Sequence, residues 1–524
     1  MNVLGISRHH NASACLISNG NVKYFIEEER LNRIKHEGIS YLSLLESKRY
    51  VSSIDKMGIS GFFPCTEVEI NEKHPFYVLV GNRIFNKKFE YFDYGYDHHL
   101  THAGGAFYNS GFKKAISIVL DGAGSKNKDN ENIEESYSSF LFEYPNKIKV
   151  LEKTWHDKSK KHSNTNKKSL GKLYSSLTEH LGFKGEYDCG KTMGLSSYGE
   201  VINIDGLFEA KDLKLNVEHP LYKESKGLKN FKVSSNIARS LQEYVQKECL
   251  KIILDNVKKH KCKNICLSGG FVLNCVSNYY VRKNLPKDIN IYVEPIAHDA
   301  GTSIGVAKLL YHTFTKDTKI RKQKSTYYGP KYSIDLTFPK YKKYKIKKVT
   351  YDDVAKLLKN NKTVAIYQGG SEQGPRALGN RSILFNPCNP KAKDRINKIK
   401  EREFFRPFAG TVLFEKAKQY FEMSNLEESP FMCYALPVKT KDLPGITHVD
   451  NTCRVQTLKQ DFNFHYYNLI KAFDKITGVP VLLNTSFNLS GKPMVETLDD
   501  ALKTFKRSKI DYLYLREIER IIIK

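Results

Sequence analysis

Two histidines four residues apart offer the chain its first chemistry. In the segment Asp97-His98-His99-Leu100-Thr101-His102, a helical path puts His98 and His102 on one face, close enough for both imidazoles to hold one metal ion. The same spacing also suits packed or surface histidines. Asp121 in LDGAG and Asp299 in AHDAG supply carboxylates on glycine turns, and two imidazoles with carboxylates suit Fe(II), Mn(II) or Zn(II). No metalloprotease HExxH is present.

The second half carries a different constellation. QGGSEQGPRALGNRS spans 368–382 and KIKEREFFRPFAG spans 398–410. Together they crowd Arg376, Arg381, Lys400 and Arg406 around glycines, the composition of a phosphate pocket, because guanidinium forks pair bidentately with phosphate oxygens. A basic surface loop is the alternative. Asn484, Thr485 and Ser486 follow the apolar run VPVLL, and Arg454 lies in THVDNTCRVQ. Small hydroxyls and an amide there suit a nucleotide contact or a helix cap equally.

These residues need elements to position them. AISIVLDGAGS at 115–125 and NICLSGGFVLN at 264–274 read as strands opening into glycine turns, at Gly122 and Gly124 and at Gly269 and Gly270. Glycine lets backbone N–H groups approach a phosphate, and a following helix N-terminus adds partial positive charge. Two such loops in one α/β region imply an actin-like, two-lobed nucleotide fold. The opening NVLGISRHHNASACLISNGNVKYFIEEERLNRIKHEG predicts strand, tight turn, strand, a turn at Asn19-Gly20, then strand and helix. Residues 152–172 read as a polar surface excursion. The charged segment 315–348, with its Gly-Pro, holds the expected boundary: a first domain at 1–325, a linker at 326–349 and a second domain at 350–524. No internal repeat is evident.

Composition narrows the class. At 524 residues with 40% hydrophobic content, the chain is a globular, enzyme-like protein of two or three domains. The opening lacks a signal peptide's apolar segment, and no run is long and apolar enough for a spanning helix. A cytoplasmic protein without a membrane partner is expected. Ten cysteines at irregular spacing indicate reduced thiols rather than a zinc knuckle or disulfide scaffold. The formal charge of +27 would favour anions or nucleic acid, yet the lysines are diffuse, with dense runs only at Lys158–Lys168 and Lys340–Lys348.

The motifs GISRHHNAS, EEERLNRIKHEG, DHHLTHA, VLDGAGS, GKTMGLSSYG, LSGGFVLN, PIAHDAGTSIG, GPRALGNRSI, KEREFFRPFAG, THVDNTCRVQ and LLNTSFN occur in an order that resembles the nodulation and cephamycin O-carbamoyltransferases. The resemblance covers nearly the whole chain. It implies an actin-like (ASKHA) first domain and a YrdC-like α/β second domain. It further implies that carbamoyl phosphate and ATP give carbamoyl-adenylate, whose carbamoyl group passes to a hydroxyl of a small sugar-like or natural-product acceptor. By the same resemblance His98, His102, Asp121 and Asp299 hold iron(II), and ATP is a co-substrate with Mg(II). Arg376, Lys400, Arg406, Arg454, Asn484 and Ser486 contact carbamoyl phosphate and ATP, and His10 and Lys35 line the transfer site.

Two positions depart from the family pattern: Asp188-Cys189-Gly190 where relatives carry a glutamate, and Gly491-Lys492-Pro493 where they read Gly-Glu-Pro. Neither is an expected ligand, but Lys492 bears on nucleotide or acceptor preference. A tRNA-modifying carbamoyltransferase is the alternative reading, favoured by charge and disfavoured by the lack of an RNA-binding module.

Overall fold

Asn2–Ser7 (β1), Ser13–Ser18 (β2) and Asn21–Glu27 (β3) form an antiparallel meander. Its second turn has Asn19 at φ 48° and Gly20 at φ 76°, a left-handed pair whose twist matches the strands it joins. Lys56–Ser60 (β4) lies parallel to β1, and Glu90–Tyr94 (β5) lies parallel to β4. The sheet order is therefore β3-β2-β1-β4-β5.

The next five strands repeat that plan. Lys114–Leu120 (β6), Ile133–Glu143 (β7) and Lys147–Asp157 (β8) form a second antiparallel meander. Asn264–Ser268 (β9) and Asn290–Val293 (β10) add in parallel beside β6, giving β10-β9-β6-β7-β8. The duplicated topology is the two-lobed, actin-like architecture expected, although the sequence shows no repeat. The computed structural model describes residues 1–62, 76–157, 169–208, 215–337, 341–342 and 344–524, so the basic run Lys158–Lys168 and part of Lys340–Lys348 lie outside the described residues.

Each lobe sends a helix from its fifth strand, His98–Ser110 after β5 and Thr302–Thr315 after β10. These two helices pack together with backbone against backbone. A Cβ on Gly305 would stand 1.8 Å from the Thr101 carbonyl oxygen, and one on Gly105 would stand 3.4 Å from the Gly305 Cα. Glycine is required where main chains approach this closely.

The chain divides into two compact units, residues 1–32 with 36–323, and residues 33–35 with 324–524. The second unit is an α/β domain. Its strands are Lys345–Lys348 (β11), Val364–Tyr367 (β12), Arg381–Phe385 (β13), Ala409–Leu413 (β14), Ala435–Pro437 (β15), Thr452–Leu458 (β16), Val481–Ser486 (β17), Tyr512–Leu515 (β18) and Arg520–Ile523 (β19). They form one mixed sheet in the order β11-β19-β18-β12-β13-β17-β14-β16-β15. The end of the expected linker is thus a strand: β11 pairs antiparallel with β19. Its sequence KIKK is too short and charged to announce a strand, but lysines suit a sheet edge that must not recruit another chain. The described cysteines are free thiols, and no described helix is long and apolar enough to cross a membrane.

The helix crossing yields a stability prediction. Overpacking a filled site costs about 1–3 kcal/mol, so Gly305→Ala should lower the denaturant midpoint. Gly190→Ala, in a helix with nothing among the described residues within 4 Å of the new methyl, should leave it unchanged or raise it slightly.

Candidate active sites in the two units

The first of the crossing helices, His98–Ser110, carries half of a buried quartet. His98 Nε2 and His102 Nε2 lie 3.1 Å apart, one helical turn separating their residues. Asp121 follows β6, and its Oδ2 stands 3.5 Å from His98 Nε2 and 3.6 Å from His102 Nε2. Asp299 precedes the helix Thr302–Thr315, and its Oδ1 stands 3.7 and 3.5 Å from the same two atoms. The four donor atoms lie within 4.8 Å of one another, and all four residues are buried. Two imidazoles and two carboxylates converging on one point form a donor set suited to a divalent cation.

Local chemistry fixes each ligand. Gly270 N–H donates to Asp121 Oδ1 at 2.9 Å, while Gly269, at φ 96°, sits where a Cβ would meet the Leu120 carbonyl oxygen at 2.3 Å. That pair of glycines therefore aims Asp121 from the neighbouring strand. Ser7 Oγ donates to the Asp299 carbonyl at 3.0 Å, anchoring the turn to β1. Ser268 Oγ lies 3.4 Å from His102 Nδ1. Of the other expected loop glycines, Gly122 has no described residue within 4 Å of where a Cβ would stand, and Gly124 is crowded by Glu135 and His99.

Burial opposes charge at His98, Asp121 and Asp299, yet these three hold one another ionised. Desolvation would lower the His98 pKa, but Asp299 and Asp121 raise it to about 10. Burial likewise pushes both carboxyls up, and the facing histidines more than offset it, leaving Asp121 and Asp299 below the ordinary carboxylate range. His10 Nε2 lies 3.0 Å from Asp299 Oδ2, and its side chain is 27% exposed, so it forms the open rim of this group. Burial would depress it, but Asp299 raises its pKa to about 9. Phe62 packs on His98 and His10 at centroid distances of 4.5 and 5.5 Å; nothing in its sequence setting signalled that.

In the second unit the sheet register does the positioning. Arg454 pairs with Ala409, which pairs in turn with Asn484, so the three side chains share one face of neighbouring strands. Asn484 Nδ2 donates to Thr411 Oγ1 at 3.0 Å and to the Ala377 carbonyl at 3.2 Å, tying the strand to the loop that carries Arg376. The buried Lys400 ammonium donates to Ser486 O at 2.5 Å, Ser486 Oγ at 3.1 Å and Asn488 Oδ1 at 2.9 Å. Desolvation, then the cations Arg402, Arg406 and Lys35, hold its pKa well below 10.5. Lys35 is exposed and groups with this unit, apart from His10. Arg454 Nε and Asn484 Oδ1 are buried without a hydrogen-bond partner among the described residues, the condition of groups built to meet a ligand.

Not every arginine of the motif faces that space. Arg381 is fully buried, its guanidinium donating to the Gln368 carbonyl at 2.5 Å and the Gly369 carbonyl at 3.1 Å while stacking on Tyr367. It is a strut of the loop. Arg402 had no separate signal beyond lying inside KEREFFRPFAG, yet it sits half-buried between Phe408 and Asn397 and contributes charge to the cluster.

Comparison with known proteins defines the class. The description "Carbamoyltransferase N-terminus" matches residues 67–308 and "Carbamoyltransferase C-terminus" matches 355–521. The chain is 31% identical to nodulation protein NolNO of Sinorhizobium fredii, over 96% of this chain and 78% of that protein. It is 30% identical to the 3'-hydroxymethylcephem-O-carbamoyltransferase of Amycolatopsis lactamdurans, over 60% of this chain and 61% of that one. Among solved structures, T. kodakarensis HypF aligns with 60% of this chain and 48% of its own at 12% identity and a TM-score of 0.34. The chain is thus a carbamoyltransferase, which takes a carbamoyl donor and an acceptor as substrates, and it belongs to the family of nodulation and cephem O-carbamoyltransferases.

Lys400 gives a pH prediction. A lysine whose folded pKa is depressed costs stability at low pH, because the unfolded chain binds the proton more readily; the cost is relieved as pH rises from the folded pKa to about 10.5. Relative to Lys400→Met, the ligand-free wild type should therefore gain stability as pH rises through that window, read by denaturant unfolding at several pH values.

Proposed function

We propose that the protein is an ATP-dependent O-carbamoyltransferase acting in the cytoplasm on a small sugar-like or natural-product acceptor. In the second unit, water cleaves carbamoyl phosphate to carbamate and inorganic phosphate, and the carbamate oxygen attacks the α-phosphorus of ATP to give carbamoyl-adenylate and pyrophosphate. The acceptor hydroxyl then attacks the carbamoyl carbon at the first unit's quartet, the acyl–oxygen bond to AMP breaks, and the hydroxyl proton leaves. The observation that carries this reading is the presence of two chemically opposite sites, a buried His-Asp quartet and a cation cluster around the buried Lys400, in separate units of one carbamoyltransferase chain.

Carbamate is a poor electrophile because nitrogen and oxygen lone pairs damp its carbonyl, and adenylation supplies a leaving group. Arg376, Arg406, Arg454 and Lys400 are assigned to the phosphates, where fixed cations stabilise charge as pyrophosphate departs. Asn484 and Ser486 are assigned to orienting the nucleotide or donor. His98, His102, Asp121 and Asp299 are assigned to iron(II), which when bound supplies Lewis-acid polarisation of an oxygen. His10 and Lys35 are assigned to transfer. Paired with Asp299, the His10 imidazole keeps its proton to about pH 9; accepting the acceptor's proton at neutral pH requires the charge of Asp299 to be neutralised by a cation.

Three outcomes test the scheme. Each carbamoyl transferred should be matched by one AMP and one pyrophosphate, read by chromatography of the nucleotides; matched ADP would overturn the adenylate. Arg406→Ala should slow ATP–pyrophosphate exchange by about ten- to a hundred-fold, the loss of one charge-assisted contact. His98→Ala should lose bound metal and transfer while keeping that exchange. A folded His98→Ala protein with wild-type transfer would return the histidines to a structural role.

A further inference from the structure

The histidine helix begins without a cap of its own. Asp97 occupies the N-cap position and makes no side-chain cap hydrogen bond. The amides of the first turn are met instead from strand β7 and the β6–β7 turn. His98 N–H donates to Ser125 Oγ at 2.8 Å, and His99 N–H donates to Glu135 Oε2 at 3.3 Å. Ser125 N–H donates to the same Glu135 oxygen at 3.1 Å. Lys153, from β8, pairs with Glu135 Oε1 at 2.5 Å. His99 Nδ1 lies 2.8 Å from Ser138 Oγ on the same strand, β7. Glu135, Ser125 and His99 are each fully buried, and Gly124 is the residue that admits them: a Cβ there would meet Glu135 Oε2 and His99 Nε2 at 2.6 Å each.

From this geometry we propose that Glu135 is a positioning residue for the metal centre, a remote anionic cap that fixes the helix start and thereby the direction of His98 and His102. The inference rests on reading the quartet as a metal site. A carboxylate at a helix N-terminus satisfies orphan amides and complements the helix dipole. Here it also couples two ligand-bearing segments. Glu135 N–H donates to the Ser125 carbonyl at 3.0 Å, and Gly124 N–H donates to the Glu135 carbonyl at 2.8 Å, so the main chain and side chain of one residue register the turn that begins at Asp121 and the helix that begins at His98. Lys153 supplies a countercharge to Glu135, and His99, held at Ser138, wedges the helix against β7. The four ligands come from three separate segments, so a shift at one start alters the whole coordination geometry.

The test uses the full chain and Fe(II) or Co(II) alone as the probe. Partners behind metal ligands typically set affinity by about 10- to 100-fold, so Glu135→Ala should weaken Fe(II) by that range in chelator competition and change the visible absorption of the Co(II) protein. Glu135→Gln keeps an oxygen acceptor and should restore most of the spectrum. Ser125→Ala removes one contact and should give a smaller loss of affinity should Glu135→Ala fail to fold. ATP–pyrophosphate exchange, assigned to the other unit, should be unchanged in all three. If His98→Ala abolishes metal binding while Glu135→Ala and Ser125→Ala bind it as wild type with the same Co(II) spectrum, the positioning role is overturned. If His98→Ala itself binds metal normally, the metal reading of the quartet fails first.

Discussion

Backbone against backbone is the contact on which the first unit depends. Gly305 leaves no room for a methyl beside the Thr101 carbonyl, and the strand below follows the same rule: a Cβ on Gly5 of β1 would meet the Ser303 carbonyl oxygen at 2.0 Å, and one on Gly301 would meet the Ile296 carbonyl oxygen at 2.0 Å. These close approaches draw His98 and His102 of one lobe onto Asp299 of the other. The duplicated topology completes the set. His10 follows β1 as Asp121 follows β6, and the helices after β5 and β10 bring the histidines and Asp299. The site is assembled from equivalent positions of two like lobes.

That packing concentrates charge where burial should disfavour it. Two carboxylates and two imidazoles are buried together, with a third imidazole at the rim, and their mutual attraction outweighs desolvation for His98, Asp121 and Asp299. A group of this kind is costly as pure structure. Its economy lies in binding, because a divalent cation replaces imidazolium protons and meets both carboxylates at once.

The second unit makes the opposite arrangement. Among the described residues Lys400 has hydroxyl, amide and carbonyl oxygens but no carboxylate among its hydrogen-bond partners, and the charges that act on it are the cations Arg402, Arg406 and Lys35. Such a cluster is unfavourable alone and favourable around polyanionic substrates. The same loop shows how like residues separate in role. Arg381 is locked by carbonyls of its own chain, whereas Arg454 keeps a buried nitrogen without a hydrogen-bond partner among the described residues. Net charge of +27 says nothing of this distinction, since most of it is spread over surface lysines.

Local features were legible from residues alone. Asn19-Gly20 demanded a left-handed hairpin turn, the apolar runs before Asp121 and Gly269 demanded strands, and the four-residue histidine spacing required only that residues 98–110 be helical. Motif order was enough for the family. Tertiary structure decided the rest. That Asp121 and Asp299 meet the histidines depends on helix crossings between segments far apart in the chain. The aim of Asp121 depends on the Gly270 amide of a neighbouring strand, a task the glycine pattern alone could not separate from phosphate binding. Glu135 carried no signal, because its role arises from capping a helix that starts 37 residues earlier in the chain. The lobes share a topology without shared sequence because a sheet's strand order is set by hydrogen bonding and packing that many different side chains satisfy.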